Sequence, residues 1–167
     1  MESLWSLFLL LSPPLLLLIV ANGSPILARQ LLGERFDAPL DGGRQFIDGR
    51  PMLGPTKSWR GVGVAIIATI SCALLLGLSW WLGALVALLA MLGDAVASFT
   101  KRRLAIAPHG RAVGLDQIPE ALLPLWLLRE GLGLGGGQVL LCVLLFMLLE
   151  MILSPLLYRW HIRLRPY

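Results

Sequence analysis

Charge is scarce in this sequence. Asp, Glu, Lys and Arg make up 14% of the residues, against roughly 25% in a typical soluble domain. Hydrophobic residues make up 57% of the 167 positions, and the mean hydropathy is +0.78. That excludes a water-soluble globule, because one core of this size cannot hide so many leucines, whereas lipid can take the excess. Cysteine and histidine are also rare, with two of each. Cys72 and Cys142 lie inside apolar runs without metal-ligand spacing, so they read as packing residues rather than a zinc site or a disulfide framework. His109 follows Pro108 in a polar stretch and completes no Cys/His metal set. The glycine that should precede Lys57-Ser58 in a P-loop is missing, which excludes that motif. The first apolar run lacks the basic lead-in and A-x-A site of a secretory leader, and Glu2 is the only charge before it. It is therefore expected to be a retained helix, kinked at Pro13-Pro14.

What the sequence has is long apolar runs. A helix rising 1.5 Å per residue needs about 20 residues to cross a hydrocarbon core of about 30 Å. The pattern predicts an all-α integral membrane protein, one domain over 1–167, with about five transmembrane helices at 4–21, 62–79, 80–99, 118–134 and 138–158. Residues 62–99 are too long for one span and right for two, with a turn near Gly77, Trp80 and Trp81, where interfacial tryptophans belong. The fourth span is the least regular, since it contains Pro119 and Pro124 and is interrupted by Arg129-Glu130. It is kept because it makes the charge pattern close. Residues 22–61, 101–117 and 159–167 then share one side and hold 13 of the 14 Lys and Arg residues, leaving only Arg129 elsewhere. The positive-inside rule puts these segments in the cytoplasm and the N-terminus outside. Both polar loops therefore face the compartment that holds nucleotides.

Two clusters of polar residues could carry chemistry. The first loop contains Asn22-Gly23-Ser24-Pro25, Pro39-Leu40-Asp41-Gly42-Gly43 and Asp48-Gly49-Arg50, and ends at Lys57-Ser58-Trp59-Arg60-Gly61. Glycine permits close backbone approach, and Lys and Arg suit phosphate oxygens. Lys57 and Arg60 are three apart before an apolar helix, so at helical spacing they share one face near an N-terminus that favours anions. Juxtamembrane basic residues touching lipid headgroups would show the same spacing. The second cluster runs from Gly93-Asp94 through Ser98, Lys101-Arg102-Arg103 and His109-Gly110-Arg111 to Asp116-Gln117. Asp94 lies about two turns inside a predicted span, where a carboxylate is a candidate functional residue. Asp116 begins the next segment from the same side. Together they could hold Mg²⁺ against a polyphosphate. The competing arrangement is an ion pair of Asp94 with Arg102 or Arg60, with Asp116 as a helix N-cap. Glu150, in the last span, reads as a hydrogen-bonded packing residue.

Taken in order and between these spans, these fragments resemble the CDP-archaeol synthase family, relatives of phosphatidate cytidylyltransferases. The resemblance extends from Asn22 to about Leu125. It implies that CTP and a phosphorylated lipid give a CDP-activated lipid and pyrophosphate, with Mg²⁺ as cofactor. It implies Asp94 and Asp116 as metal-site residues, catalytic together with Lys101, and Asn22, Lys57, Arg60 and Arg102 as nucleotide or phosphate contacts. The broader signature Asp-Arg-x-Asp is here Asp116-Gln117-Ile118-Pro119, with Glu120 one place later. The expected partners are CTP, the lipid phosphate and membrane lipids, with no nucleic acid and a homodimer left open. Two other classes remain in view. A small transporter would use Asp94 and Glu150 as an ion path, and a non-catalytic member of a lipid-synthesis complex would need no intact acids. The CDP-alcohol phosphotransferase pattern is absent, since Asp48-Gly49-Arg50 lacks its following spaced aspartates.

Overall fold

The computed structural model describes residues 3–107, 110 and 112–159. It contains five helices: α1 (Leu4–Leu32), α2 (Trp59–Leu75), α3 (Trp80–Arg103), α4 (Gln117–Leu127) and α5 (Gly136–Arg159). Helices α1, α3 and α5 are long and apolar enough to cross a bilayer, and α2 is an apolar helix of 17 residues. Consecutive helices pack against each other, and α1 also touches α3 and α5, which closes the bundle into a ring. The core draws on every helix: Leu17 and Leu18 from α1, Ala73 from α2, Val86 from α3, Leu125 from α4, and Val139, Cys142 and Phe146 from α5. Cys72 and Cys142 are both free thiols.

Two segments differ from the sequence expectation. The first helix does not stop at residue 21. It runs on through Asn22-Gly23-Ser24-Pro25 to Leu32, 29 residues in all, or about 43 Å. Asn22 stays within the helix, and its Nδ2 donates to the Leu18 carbonyl at 3.1 Å. Isolated Gly and Pro are tolerated in membrane helices because neighbouring groups re-satisfy the backbone. The stop comes at Gly33, whose φ of 57° ends the helix while its N–H donates to Arg29 O.

The segment expected to span 118–134 is also different. Its helix is only 11 residues long, about 16 Å, and turns carry the chain on to Leu134. The segment still runs the bundle's length beside α3. Pro119 and Glu120 lie against Gly93, and Gly131 lies against Leu82 and Trp81 near the start of α3. The ends of α1, α3 and α5 and the start of α4 thus meet at one end of the bundle, beneath the polar loop 33–58. His109, Arg111, Arg163 and Arg165 lie outside the described residues.

Candidate functional site

That end of the bundle holds a half-open cavity of about 1330 Å³. Six of the seven residues singled out in the sequence line it: Asn22 from α1, Lys57 from the loop, Asp94, Lys101 and Arg102 from α3, and Asp116 at the head of α4. The approach of α3 to α4 makes the assembly possible. A Cβ on Gly93 would stand 2.3 Å from the Pro119 carbonyl oxygen and 2.7 Å from the Glu120 Cα. Only glycine lets the two backbones come this close, and the next residue, Asp94, then faces the cavity.

The charged residues of the cavity are paired in a way that spacing did not indicate. Lys57 Nζ holds Asp94 Oδ2. Lys101 Nζ holds Asp116 Oδ1 at 2.6 Å and also approaches the Gly110 carbonyl at 3.4 Å. Asp94 is therefore paired with neither Arg102 nor Arg60. Asp116 occupies the N-cap position of α4, but its side chain caps no N–H there. Its Oδ2 accepts instead from Ala112 N at 3.1 Å. Lys57 does not share a helical face with Arg60, because it precedes the N-cap Ser58 and belongs to the loop.

Arg60 is the residue that the structure places elsewhere. It does not line the cavity. Its side chain is 5% exposed, and its Nη1 donates to the carbonyls of Gly33 (2.8 Å) and Arg35 (2.6 Å) while Nη2 reaches Asp37 at 2.8 Å. These carbonyls lie where α1 ends, and a guanidinium satisfies them well. The sequence spacing carried no sign of this, because the partners are about 25 residues upstream.

Several residues that shape the site went unassigned in the sequence. Asp41 organises the loop, accepting from Gly43 N at 2.9 Å, Leu53 N at 2.9 Å and Gly54 N at 3.1 Å. Burial raises the Asp41 carboxyl pKa, but the hydrogen bonds from Leu53, Gly54 and Gly43 more than offset it and hold the group below its ordinary range. The Asp-Gly-Gly run was the available signal, since Asp accepting from an N–H two residues on is an Asx turn. Arg103 and Arg50 fasten the same loop to the end of α3. Arg103 pairs with Asp48 and donates to Pro51 O at 2.6 Å. It also lies over the rings of Phe46 and Phe99, 4.8 and 4.9 Å from their centroids. Arg50 in turn donates to Arg103 O at 2.8 Å. Arg102, buried, is held by the Ile106 and Leu53 carbonyls.

Glu120 and Glu150 also line the cavity, from α4 and α5. Counting described lining residues, Glu34, Asp37, Asp94, Asp116, Glu120 and Glu150 face Arg29, Lys57, Lys101 and Arg102, six acids to four bases. Among the described residues no group of three or more His, Cys, Asp or Glu side chains is arranged to hold a metal ion. Two aspartates leave a coordination shell open, and this fits Mg²⁺, which takes one or two carboxylates together with substrate phosphates.

The sequence profile of the CarS-like CDP-archaeol synthase family matches residues 79–167. The chain is 34% identical over 155 residues to the CDP-archaeol synthase of Sulfurisphaera tokodaii, covering 89% of this chain and 90% of that protein. It is 37% identical over 134 residues to the CDP-archaeol synthase of Pyrobaculum calidifontis, covering 75% and 74%. The structure superposes on that of an intramembrane enzyme for archaeal membrane lipids biosynthesis with a TM-score of 0.63 and 27% identity, covering 82% of this chain and 90% of that one.

Proposed function

The chain belongs to the CDP-archaeol synthase family, and on that premise we propose that it is an intramembrane cytidylyltransferase. It joins CTP to a lipid phosphate, giving a CDP-activated lipid and pyrophosphate. The observation that carries the reading is the cavity at the polar end of the bundle, where two lysines, two aspartates, Asn22 and Arg102 converge. Family membership sets aside the transporter and the non-catalytic partner. The lipid is taken to be of archaeol type, as the relatives' name indicates.

The mechanism follows from charge. A phosphate monoester has a second pKa of about 6, so near neutral pH it is mostly dianionic and needs no strong general base. One of its oxygens attacks the α-phosphorus of CTP, the new P–O bond forms, and the bond to pyrophosphate breaks. The difficulty is to bring two anions together. Lys57, from the loop, and Lys101, near the end of α3, supply cations paired with Asp94 and Asp116, and Arg102, held by backbone carbonyls, supplies a fixed one. The fixed charge of Arg102 stabilises the leaving pyrophosphate without reorganisation during the reaction, and the lysines add to it once they have turned to the phosphates. Asn22 offers a neutral amide for the nucleotide. Mg²⁺, held by Asp94 and Asp116, would supply charge neutralisation between the phosphates. Lys57 and Lys101 are each matched by an aspartate, so neither is surplus positive charge for a polyphosphate, which supports a metal requirement. The lipid tails remain among the helices while the phosphate reaches the polar end.

The test is incubation of the detergent-purified protein with labelled CTP, Mg²⁺ and a panel of archaeol-type and diacyl lipid phosphates. The expected result is label in a CDP-lipid with one pyrophosphate released per turnover, fastest with the archaeol-type substrate. No CDP-lipid from any member would overturn the reading. Product from diacyl lipids alone would overturn the lipid assignment.

A further inference from the structure

Both cavity lysines already hold the carboxylates assigned to the metal. Lys57 comes from the loop and Asp94 from α3, while Lys101 comes from α3 and Asp116 from the head of α4. The side chains are 18% and 27% exposed in the first pair and 13% and 26% in the second. These are neither fully dry nor surface pairs, so attraction between the partners is stronger than in open water. An ammonium drawn onto a phosphate loosens its hold on Asp94, and a cation on Asp94 competes with the Lys57 charge for the carboxylate. Either exchange alone strands a charge in a partly buried place, which is costly. Made together, the exchanges leave every charge matched, the carboxylates on a cation and the ammonium groups on phosphate.

We propose that the two lysine–aspartate pairs are an interlock that makes divalent-cation and nucleotide binding strongly interdependent. The proposal rests on the cytidylyltransferase reading above and adds to it how the site is kept closed to either ligand alone. Until ligands bind, Lys57 and Lys101 act as internal stand-ins for the cation, and Asp94 and Asp116 as stand-ins for the phosphates. A cation without nucleotide must compete with both ammonium groups, and a nucleotide without cation with both carboxylates. By linkage the effect is reciprocal: whatever the cation adds to nucleotide affinity, the nucleotide adds to cation affinity. Removing one lysine charge should therefore release a carboxylate and strengthen cation binding even though it weakens nucleotide binding. A lysine that served only as a phosphate contact would leave cation affinity unchanged.

The experiment measures Mn²⁺ binding to the full chain in detergent by electron paramagnetic resonance, without nucleotide, for wild type, Lys57→Gln, Lys101→Gln and Lys57→Arg. Thermal melting establishes that each is folded. The interlock predicts weak Mn²⁺ binding to wild type and to Lys57→Arg, and tighter binding by roughly tenfold or more to either glutamine variant. CTP affinity with Mg²⁺ present should fall in the same two variants. Lys57→Gln and Lys101→Gln report on separate pairs, so one folded variant is enough. The wild type also tests the idea without any substitution, since tight Mn²⁺ binding without nucleotide, or equally tight CTP binding in EDTA and in Mg²⁺, would overturn it. Unchanged Mn²⁺ affinity in a folded glutamine variant, with CTP still bound by wild type in Mg²⁺, would overturn the interlock and leave the cytidylyltransferase reading standing. If wild type binds no CTP even with Mg²⁺, that reading falls, and the interlock falls with it.

Discussion

Arg60 and Lys57 stand three residues apart and do different work, and substitution should separate them. Lys57→Ala removes a mobile cation from the cavity. A charge-assisted contact is worth roughly 1.5–3 kcal/mol, so CTP affinity should fall about ten- to hundredfold. Equilibrium binding in Mg²⁺ checks it. Arg60→Ala leaves the Gly33 and Arg35 carbonyls and Asp37 without their guanidinium. It should lower stability by roughly 1.5–3 kcal/mol while the folded fraction binds CTP nearly as wild type does. A melting curve alongside the binding measurement distinguishes the two effects. Spacing alone could not predict this split. The N-cap at Ser58 puts Lys57 in the loop and Arg60 in the first turn, and neither partner of Arg60 is near it in sequence. That Asp94, Lys101 and Asp116 meet at one cavity was legible, because Asp94 lies seven residues before Lys101 on one helix and Asp116 begins the next segment from the same side. Their pairing was not, since it depends on which loop folds over which helix.

Asp41 gives a pH signature at the same scale. Its folded carboxyl lies below its unfolded value of about 3.9 because three backbone N–H groups favour the charged form. A depressed acid contributes stability that is fully present above the unfolded pKa and is lost as pH falls through the folded one. Asp41→Asn should therefore melt at lower temperature than wild type near neutrality, and the gap should close as the pH drops below about 4. A gap that stays constant with pH would assign the effect to geometry rather than charge.

Among the elements, α3 and α4 depend on each other through one missing side chain. Gly93→Ala places a methyl group where the Pro119 carbonyl now sits. Overpacking of this kind costs about 1–3 kcal/mol, relieved only by moving α4 away. Asp116 and Glu120 ride on that element, so turnover should fall along with the melting temperature, and activity measured well below the melting point separates displacement from unfolding. The apolar runs made α1, α3 and α5 legible in the sequence. The extent of α1 was not, because Gly23 and Pro25 signal a loop in water and are absorbed into a helix in lipid. The brevity of α4 was hidden too. Pro119 near a helix start and Pro124 within it are each compatible with a longer helix, and the turn after Leu127 is set by packing against the start of α3.

Orientation in the bilayer is a property of the whole molecule. Thirteen of the 14 Lys and Arg residues belong to the segments at the cavity end or to the tail that follows α5. The exception, Arg129, lies over the Trp126 ring, 5.0 Å from its centroid, beyond the end of α4. The positive-inside rule predicts the cavity end in the cytoplasm and the N-terminus outside. Reporters fused after Tyr167 and inserted within residues 131–137 should then report opposite sides of the membrane. The same side for both would mean that α5 does not cross, and a cytoplasmic reporter within residues 131–137 would mean that the chain between Asp116 and Gly136 turns back rather than crossing.

The ring of helices is closed by its first and last members. Leu17 and Leu18 pack in one cluster with Val139, Cys142 and Phe146, and Asn22 shares a small side chamber with Glu150 and Ser154. This seam also has a consequence in time. A ribosome delivers α1 first and α5 last, at roughly 5–20 residues per second, so the face of α1 that meets α5 stands without its partner for on the order of ten seconds. During that interval the wall of the chamber is incomplete, and no nascent intermediate possesses the finished site. The enzyme becomes competent only when its last helix enters the bilayer, so a chain interrupted before α5 would remain in the membrane as an inert fragment rather than a partly active one.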